Sequence, residues 1–359
     1  MTTLWDTTGS AVVKALSAER RAAGALAFGL ALTLVVVVDE KNVAAAENAA
    51  TAAAAAHPCR LLIVVRRQID APHPRLDAEV SIGGRLGPGE AIVMRMSGRL
   101  ALHAESVVLP LLASDAPVVT WWHDEPPTRI AFDPLGVFAD RRVTDCASAP
   151  DPLAALRLRA ADFEPGDTDL AWTRISGWRT LLAAAFDGRT DRPSSATIEA
   201  DQADPSAQLF AGWLRGKLSV PVDVAGSGKR GIQAVRVAVA DGEIAVTRAD
   251  SRAGTITRPG VPPRRLPLRQ LDVGDLLAEE LRRLDDDAIY AEALSAWSGV
   301  PDLTRRSGHR EHIWQDPMEQ RPTAAAAPVS AETGPASAAA ESGPASAAAK
   351  SGPVAGGGD

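Results

Sequence analysis

The sequence predicts an α/β N-terminal domain with a mixed sheet, followed by an α+β C-terminal domain and a disordered tail. Three observations carry that expectation. The run Val35-Val36-Val37-Val38 leads into an alanine-rich stretch and then a second apolar run, Leu61 to Val65. Helical and alternating patterns stand on both sides of a break marked by Pro150 and Pro152. After about Pro317 the composition collapses to Ala, Pro, Gly and Ser. A chain of 359 residues, 46% hydrophobic, has material for about two cores of roughly 150 residues each. The expected domains are 1–150 and 151–317, with the tail at 318–359.

From Thr8 to Ala27 the apolar residues Val12, Leu16, Ala23 and Leu26 recur near the helical period. The uncharged stretch Ala22 to Val38 follows Arg20-Arg21 and imitates a signal anchor. Gly24, Gly29 and Thr33 dilute its hydrophobicity, and it runs straight into Asp39-Glu40. Four consecutive valines suit a parallel strand covered on both faces, because β-branched side chains fit a pleat. We therefore expect no membrane span and a cytoplasmic protein.

Asp39 is placed to cap the alanine-rich helix that Pro58 stops, since alanine loses no side-chain entropy in a helix. The runs 32–38 and 61–65 then form a βαβ unit with parallel strands. Leu76, Ala78, Val80 and Ile82 alternate with polar residues, as do Ile92, Met94 and Met96. With Gly83 to Gly89 as the turn, they predict an antiparallel hairpin with one face nearer solvent. A helix around Leu100 to Leu109 should kink or end at Pro110. Pro117 to Trp122 reads as a strand.

Beyond the break, helical runs cover 153–161, 169–186 and 206–219. Val235, Val237 and Val239 alternate with Arg236 and Ala238, and Asp241-Gly242 turns the chain back through Glu243 to Thr247. The Pro- and Arg-rich stretch 251–270 reads as an exposed connection. Asp275 to Trp297 reads as one amphipathic helix burying Leu276, Leu277, Leu281, Leu284, Ile289 and Leu294. The tail repeats ETGPASAAA, ESGPASAAA and KSGP, which cannot bury enough apolar surface to offset ordering entropy.

The chemistry-bearing residues resist assignment to an active site. Lys and Arg number 38 against 45 Asp and Glu, a net charge of -7, which disfavours a nucleic-acid grip. Two cysteines, Cys59 and Cys146, exclude a disulfide framework; neither has a neighbouring His to activate it, so both read as structural thiols. Gly226 to Gly231 matches G-x-G-x-x-G, but a period-two pattern follows where a dinucleotide site needs a helix N-terminus. As a P-loop it has Asp223 in place of Gly and Arg230 in place of Ser or Thr. His309 and His312 lack further ligands, and His57, His73, His103 and His123 show no metal spacing. Glu125, Asp133, Asp140 and Asp145 are interleaved with Arg129, Arg141 and Arg142, so an ion-paired loop is as natural as a carboxylate pair. No catalytic, cofactor-binding or metal-ligating residue is expected, and no cofactor. What stands out is tryptophan: Trp121-Trp122 on a strand, where one ring should face outward, and Trp172 and Trp178 beside Arg174 and Arg179. Trp and Arg dominate protein–protein hot spots, although core packing is the commoner use of either Trp pair.

Several blocks stand in a particular order: His57-Pro58-Cys59-Arg60, Leu109-Pro110-Leu111-Leu112, Pro117 to Trp122, Asp133-Pro134-Leu135 and Asp140-Arg141-Arg142. Asp169 to Arg174, Trp178-Arg179 and Phe210-Ala211-Gly212-Trp213-Leu214 follow. In these blocks the chain, from residue 5 to about 300, resembles the OpcA family of glucose-6-phosphate dehydrogenase assembly proteins in its actinobacterial form. The resemblance implies a non-catalytic partner that promotes the active oligomer of that dehydrogenase, at the entry to the oxidative pentose phosphate pathway. Trp121, Trp122, Asp133, Arg141, Arg142, Asp169, Trp172, Arg174 and Trp178 are expected to form or support the docking surface. Two other classes stay open: an α/β sensor of a sugar phosphate or NADP, bound at strand ends, and a scaffold using the tail as a flexible arm. Redox control belongs to cyanobacterial members, and two cysteines offer little for it here.

Overall fold

β-Branched runs become the centre of a sheet buried on both faces. The computed structural model describes residues 1–24, 30–83 and 89–308, which pack as one compact unit. Its elements begin with β1 (Thr2–Leu4), α1 (Gly9–Ala22), β2 (Leu32–Asp39), α2 (Val43–Ala56) and β3 (Cys59–Arg66). They continue through β4 (Arg75–Ile82), β5 (Glu90–Ser97), α3 (Glu105–Val108), β6 (Val118–Trp122) and β7 (Arg141–Thr144). Next come α4 (Pro152–Asp162), β8 (Asp167–Asp169), α5 (Leu170–Thr173), α6 (Ser176–Ala185), β9 (Ser195–Ala200) and α7 (Pro205–Leu218). The remainder is β10 (Val222–Gly226), β11 (Ala234–Val239), β12 (Gly242–Arg248), β13 (Ala253–Arg258), β14 (Val261–Pro267), α8 (Val273–Glu280) and α9 (Ala288–Ser298).

The first sheet has eight strands in the order β1-β4-β5-β3-β2-β6-β7-β8. β2 pairs in parallel with β3, Leu32 opposite Cys59, so the predicted βαβ unit is present. β4 and β5 pair antiparallel, with Leu76 opposite Met96, and make the sheet mixed. Val35, Val37, Leu62 and Val64 face α1 and α3; Leu34, Val36, Leu61 and Ile63 face α2. The second sheet runs β10-β9-β11-β12-β13-β14, and α6, α7 and α9 share its core. The chain then returns: Leu276, Leu277 and Leu281 of α8 and the turn after it join the alanine face of α2 in the first core. The α/β and α+β parts and the mixed sheet thus stand as the patterns predicted.

Several expectations are corrected. Asp39 caps no helix: a single 3₁₀ turn, Glu40–Asn42, precedes α2, and the Asp124 carboxylate accepts from the Asp39 amide at 2.7 Å. The Leu100 to Leu109 helix is two 3₁₀ turns flanking the short α3, because Pro110 and Gly98 (φ +63°) limit it at both ends. The hairpin face expected nearer solvent is partly covered too, since Ala91 and Val93 of β5 pack into the core beneath α2. Stretch 251–270 is not a connection but the β13–β14 hairpin; its prolines are tolerated because β14 is an exposed edge strand. The long helix of 275–297 is two, α8 and α9, separated by a turn in which Asp287 accepts from the Tyr290 amide and starts α9. Ile289, expected inside, is 44% exposed. Strands β9 and β10, which pair in parallel, were not legible as strands at all. His309, His312 and the repetitive tail lie outside the described residues.

Candidate functional site

Of the residues singled out by the sequence, Arg141, Arg142, Asp169 and Trp172 meet at the seam of β7, β8, α5 and α8, and most of the set is interior. Successive side chains on a strand point to opposite faces, so Trp121 enters the α2 core and Trp122 the α1 core. Both are 1% exposed, which corrects the expectation of one outward ring: helices cover both faces of β6. Neither indole N–H has a partner. The packing still wins, because burying an indole contributes roughly 4–6 kcal/mol and an unmade hydrogen bond costs about 1–3.

Arg141 and Arg142 leave adjacent positions on β7 in opposite directions, and each meets a carboxylate. Arg141 donates to Glu280 of α8 from Nε at 2.9 Å and Nη2 at 2.6 Å, and from Nη1 to the Asp285 carbonyl at 2.8 Å. Thr173 Oγ1 donates to the other Glu280 oxygen. Arg142 Nε donates to Asp167 of β8 at 2.5 Å, and its Nη2 donates to the Pro165 carbonyl. Burial pushes the Asp167 carboxyl up to about 6, against the pull of Arg142. Asp169 ends β8 and serves as a bracket: Oδ2 accepts from Thr144 Oγ1 at 2.7 Å and the Cys146 amide at 2.9 Å, and Oδ1 accepts from the Ala171 amide at 2.8 Å.

Trp172 donates from its indole nitrogen to Asp287 at 2.8 Å, tying α5 to the start of α9. The Arg179 guanidinium stacks 3.6 Å from its ring centroid, and burial lowers that guanidinium to about 10. Trp178 packs in the second core beneath Arg248, 5.1 Å from the ring centroid. Arg141, Arg142, Asp169, Trp172 and Trp178 are all buried, so they can support a docking surface but not form one. Asp133, half-buried, faces Arg66 at 3.8 Å across the first lobe and does not join this seam. Arg174 is the member that reaches solvent; it grips Asp145 with two bonds of 2.6 Å. Sequence reasoning missed Glu280 and Asp287, the carboxylates that make the seam, and named Arg179 without placing it on the Trp172 ring. The available signal was indirect, since buried guanidinium groups require counter-charges or carbonyls.

The strand ends offer a cleft of about 510 Å³ bordered by Asp39, Arg66, Arg67, Asp70 and Glu125. Three carboxylates against two guanidinium groups do not make an anion site. Asp124 moreover occupies the turn after β2, bonding Asn42 Nδ2 as well as the Asp39 amide, where nucleotide folds place glycine amides against a phosphate. Gly226 to Gly231 forms the end of β10 and the loop before β11, as the alternation predicted.

Cys59 and Cys146 are buried in different cores. Burial pushes the Cys59 thiol up to about 12; burial and then the Asp169 carboxylate raise that of Cys146. The thiolate is the reactive form, so at pH 8 both should resist a thiol reagent in the folded chain and react once denaturant is added. Stoichiometric labelling of either within minutes without denaturant would contradict this burial.

No helix among the described residues is long and apolar enough to cross a membrane. Residues 50–161 match the family described as glucose-6-phosphate dehydrogenase subunit N-terminal domain, and residues 165–294 its C-terminal domain. The putative OxPP cycle protein OpcA of Synechococcus elongatus is 29% identical over 139 residues, which is 36% of this chain and 31% of that protein. That of Nostoc punctiforme is 29% identical over 117 residues, 30% of this chain and 25% of the relative. The matched part therefore spans a third or less of these curated relatives. Among solved structures, an oxidoreductase from Sinorhizobium meliloti aligns over 76% of this chain and 97% of its own, at 11% identity and a TM-score of 0.42. A 3-ketoreductase from Actinomadura kijaniata aligns over 75% and 96%, at 12% identity and 0.39.

Proposed function

The chain belongs to the OpcA family of glucose-6-phosphate dehydrogenase assembly proteins, and from that premise we propose that it binds this dehydrogenase in the cytoplasm and favours its active oligomer without catalysing a reaction itself. The observation that carries the reading is the family match running in order across both halves of the described chain, 50–161 and 165–294. The buried Arg–carboxylate pairs support it in kind, because they hold β7, β8 and α8 together within one compact unit that can present a preformed surface. A preformed surface loses less entropy on binding than a flexible one.

The physical requirement is modest. A partner that binds one oligomeric state better than another shifts the equilibrium by its differential affinity, and tenfold needs about 1.4 kcal/mol. One or two anchor residues can supply that. Titrating this protein into the dehydrogenase of the same source should raise activity and produce a larger species by light scattering after size exclusion. If both partners are folded and neither quantity changes, the proposal fails. Arg174 tests direct contact among the residues named from sequence: Arg174→Ala, if stably folded, should weaken activation. Unaltered activation would remove Arg174 from the surface.

A further inference from the structure

We propose that the cleft between α6, the start of α7, the 227–231 loop and β12 binds the phosphate group of a small phosphate monoester. The cleft encloses about 330 Å³, at the small end of the range for metabolite sites. Arg174, Lys229, Arg230, Arg248 and Arg269 border it, against one carboxylate, Asp204. In a chain of net charge -7 this is a local reversal of sign. Two of the five are already paired: Arg174 with Asp145, and Arg269 with Asp275 at 3.2 Å. Lys229, Arg230 and Arg248 have no ion pair among the described residues.

Arg248 is the most telling. Its guanidinium donates to main-chain carbonyls alone, those of Ile232, Asp250 and Leu268 at 3.2–3.3 Å, and burial depresses its basicity. Asp250 lends it some opposing charge but makes no ion pair with it, so a dianion entering the cleft would supply the direct partner that this partly buried cation lacks. The N-terminus of α7, a helix of 14 residues, also meets the cleft through Ser206, adding the positive end of the helix dipole. Ser206 is 4% exposed, lines the cleft, and its Oγ has no hydrogen-bond partner. The hydroxyl lies beside the Asp204 carboxylate and can rotate to donate to a phosphate oxygen instead. Asp204 accepts from the Ser206 amide at 2.8 Å, and burial raises its carboxyl above the ordinary value. Ile175, Trp178 and Ile232 supply an apolar wall for the remainder of a small ligand. The volume suits such a molecule and not a folded acidic segment. Planar guanidinium groups favour the tetrahedral oxygens of phosphate through paired donors.

Calorimetric titration of the full chain, without the dehydrogenase, tests this. The probes are inorganic phosphate, a hexose 6-phosphate, the unphosphorylated hexose and a hexaglutamate peptide. Phosphate and the ester should bind and the free hexose should not. Lys229→Ala/Arg230→Ala, a change confined to an exposed loop, should weaken the ester about tenfold or more. Ser206→Ala should weaken it about two- to tenfold. Arg264→Ala, on the exposed edge strand β14, should leave affinity unchanged. Absence of phosphate and ester binding at millimolar concentration overturns the proposal. So does preferential binding of the peptide, or an affinity that neither cleft variant alters. These results bear on the cleft alone and leave the assembly reading to its own titration.

Discussion

Replacing Arg141 by Met should destabilise the folded chain by about 3–5 kcal/mol, because it strands the Glu280 carboxylate 6% exposed in the interior without its cation. Thr173 Oγ1 alone would remain to that carboxylate, and one hydroxyl cannot replace two charge-assisted bonds. The double variant Arg141→Met/Glu280→Leu should regain most of the loss, since two apolar residues remove the uncompensated charge. A surface pair gives the contrast. Arg282 and Glu279 lie 3.1 Å apart with side chains 62% and 47% exposed, so Arg282→Ala should cost less than about 1 kcal/mol. Urea denaturation followed by tryptophan fluorescence measures all three. A loss under 1 kcal/mol for Arg141→Met would show that the pair does not hold α8 to the first sheet. Any loss of dehydrogenase activation in this variant should track the unfolded fraction, since Arg141 is inside.

Gly212→Ala should also destabilise, by about 2–3 kcal/mol or more, against the direction that helix propensity predicts. Propensity alone favours alanine over glycine in a helix by about 1 kcal/mol. A Cβ at Gly212, however, would lie 2.1 Å from the Ala293 carbonyl oxygen and 2.9 Å from Trp297 Cβ. Here α7 crosses α9, and the obstructing atom is backbone, so relief requires separating the helices. Overpacking of that kind costs about 1–3 kcal/mol and sometimes more. Gly216 lies one turn further on the same helix. Its Cβ would approach Ala296 Cβ no nearer than 4.0 Å, so Gly216→Ala should be neutral to stabilising by up to about 1 kcal/mol. Opposite signs for the two replacements confirm the crossing; a stabilising Gly212→Ala would place the helices further apart. The contrast also explains why Gly stands in the Phe210 to Leu214 block at that position.

Much of the first lobe was legible because period and burial agree there. Val35 to Val38 and Leu61 to Val65 are β-branched or apolar at every position, which only a strand covered on both faces uses, and they pair in parallel. The Val235 to Thr247 hairpin was equally plain, since Asp241-Gly242 supplies the turn and the valines keep period two. Where local signals conflicted with long-range pairing, the reading failed. Prolines in Val261–Pro267 suggested a connection, but an edge strand leaves their missing N–H groups facing away from any partner. Leu276 to Leu294 kept a helical period across a real break, because two separate helices bury leucines against different cores.

The same division holds for function. By itself the sequence determined the fold class, the family and the chemical character of the prominent residues, because each of these depends on residue types in order along the chain. Only the tertiary structure decided which of those residues face inward. Trp121, Trp122, Arg141, Arg142 and Trp172 look like hot-spot residues by type, yet they are consumed by packing and by partners such as Glu280 and Asp287, more than a hundred residues away from Arg141 and Trp172. Conversely, Lys229, Arg230 and Arg248 were unremarkable in sequence. They acquire meaning because the turn before β11, the end of β12 and the start of α7 bring cations without ion pairs and a buried hydroxyl to one small cleft. Charge and hydrogen-bond satisfaction depend on neighbours in space, and those neighbours are set by the packing of whole elements.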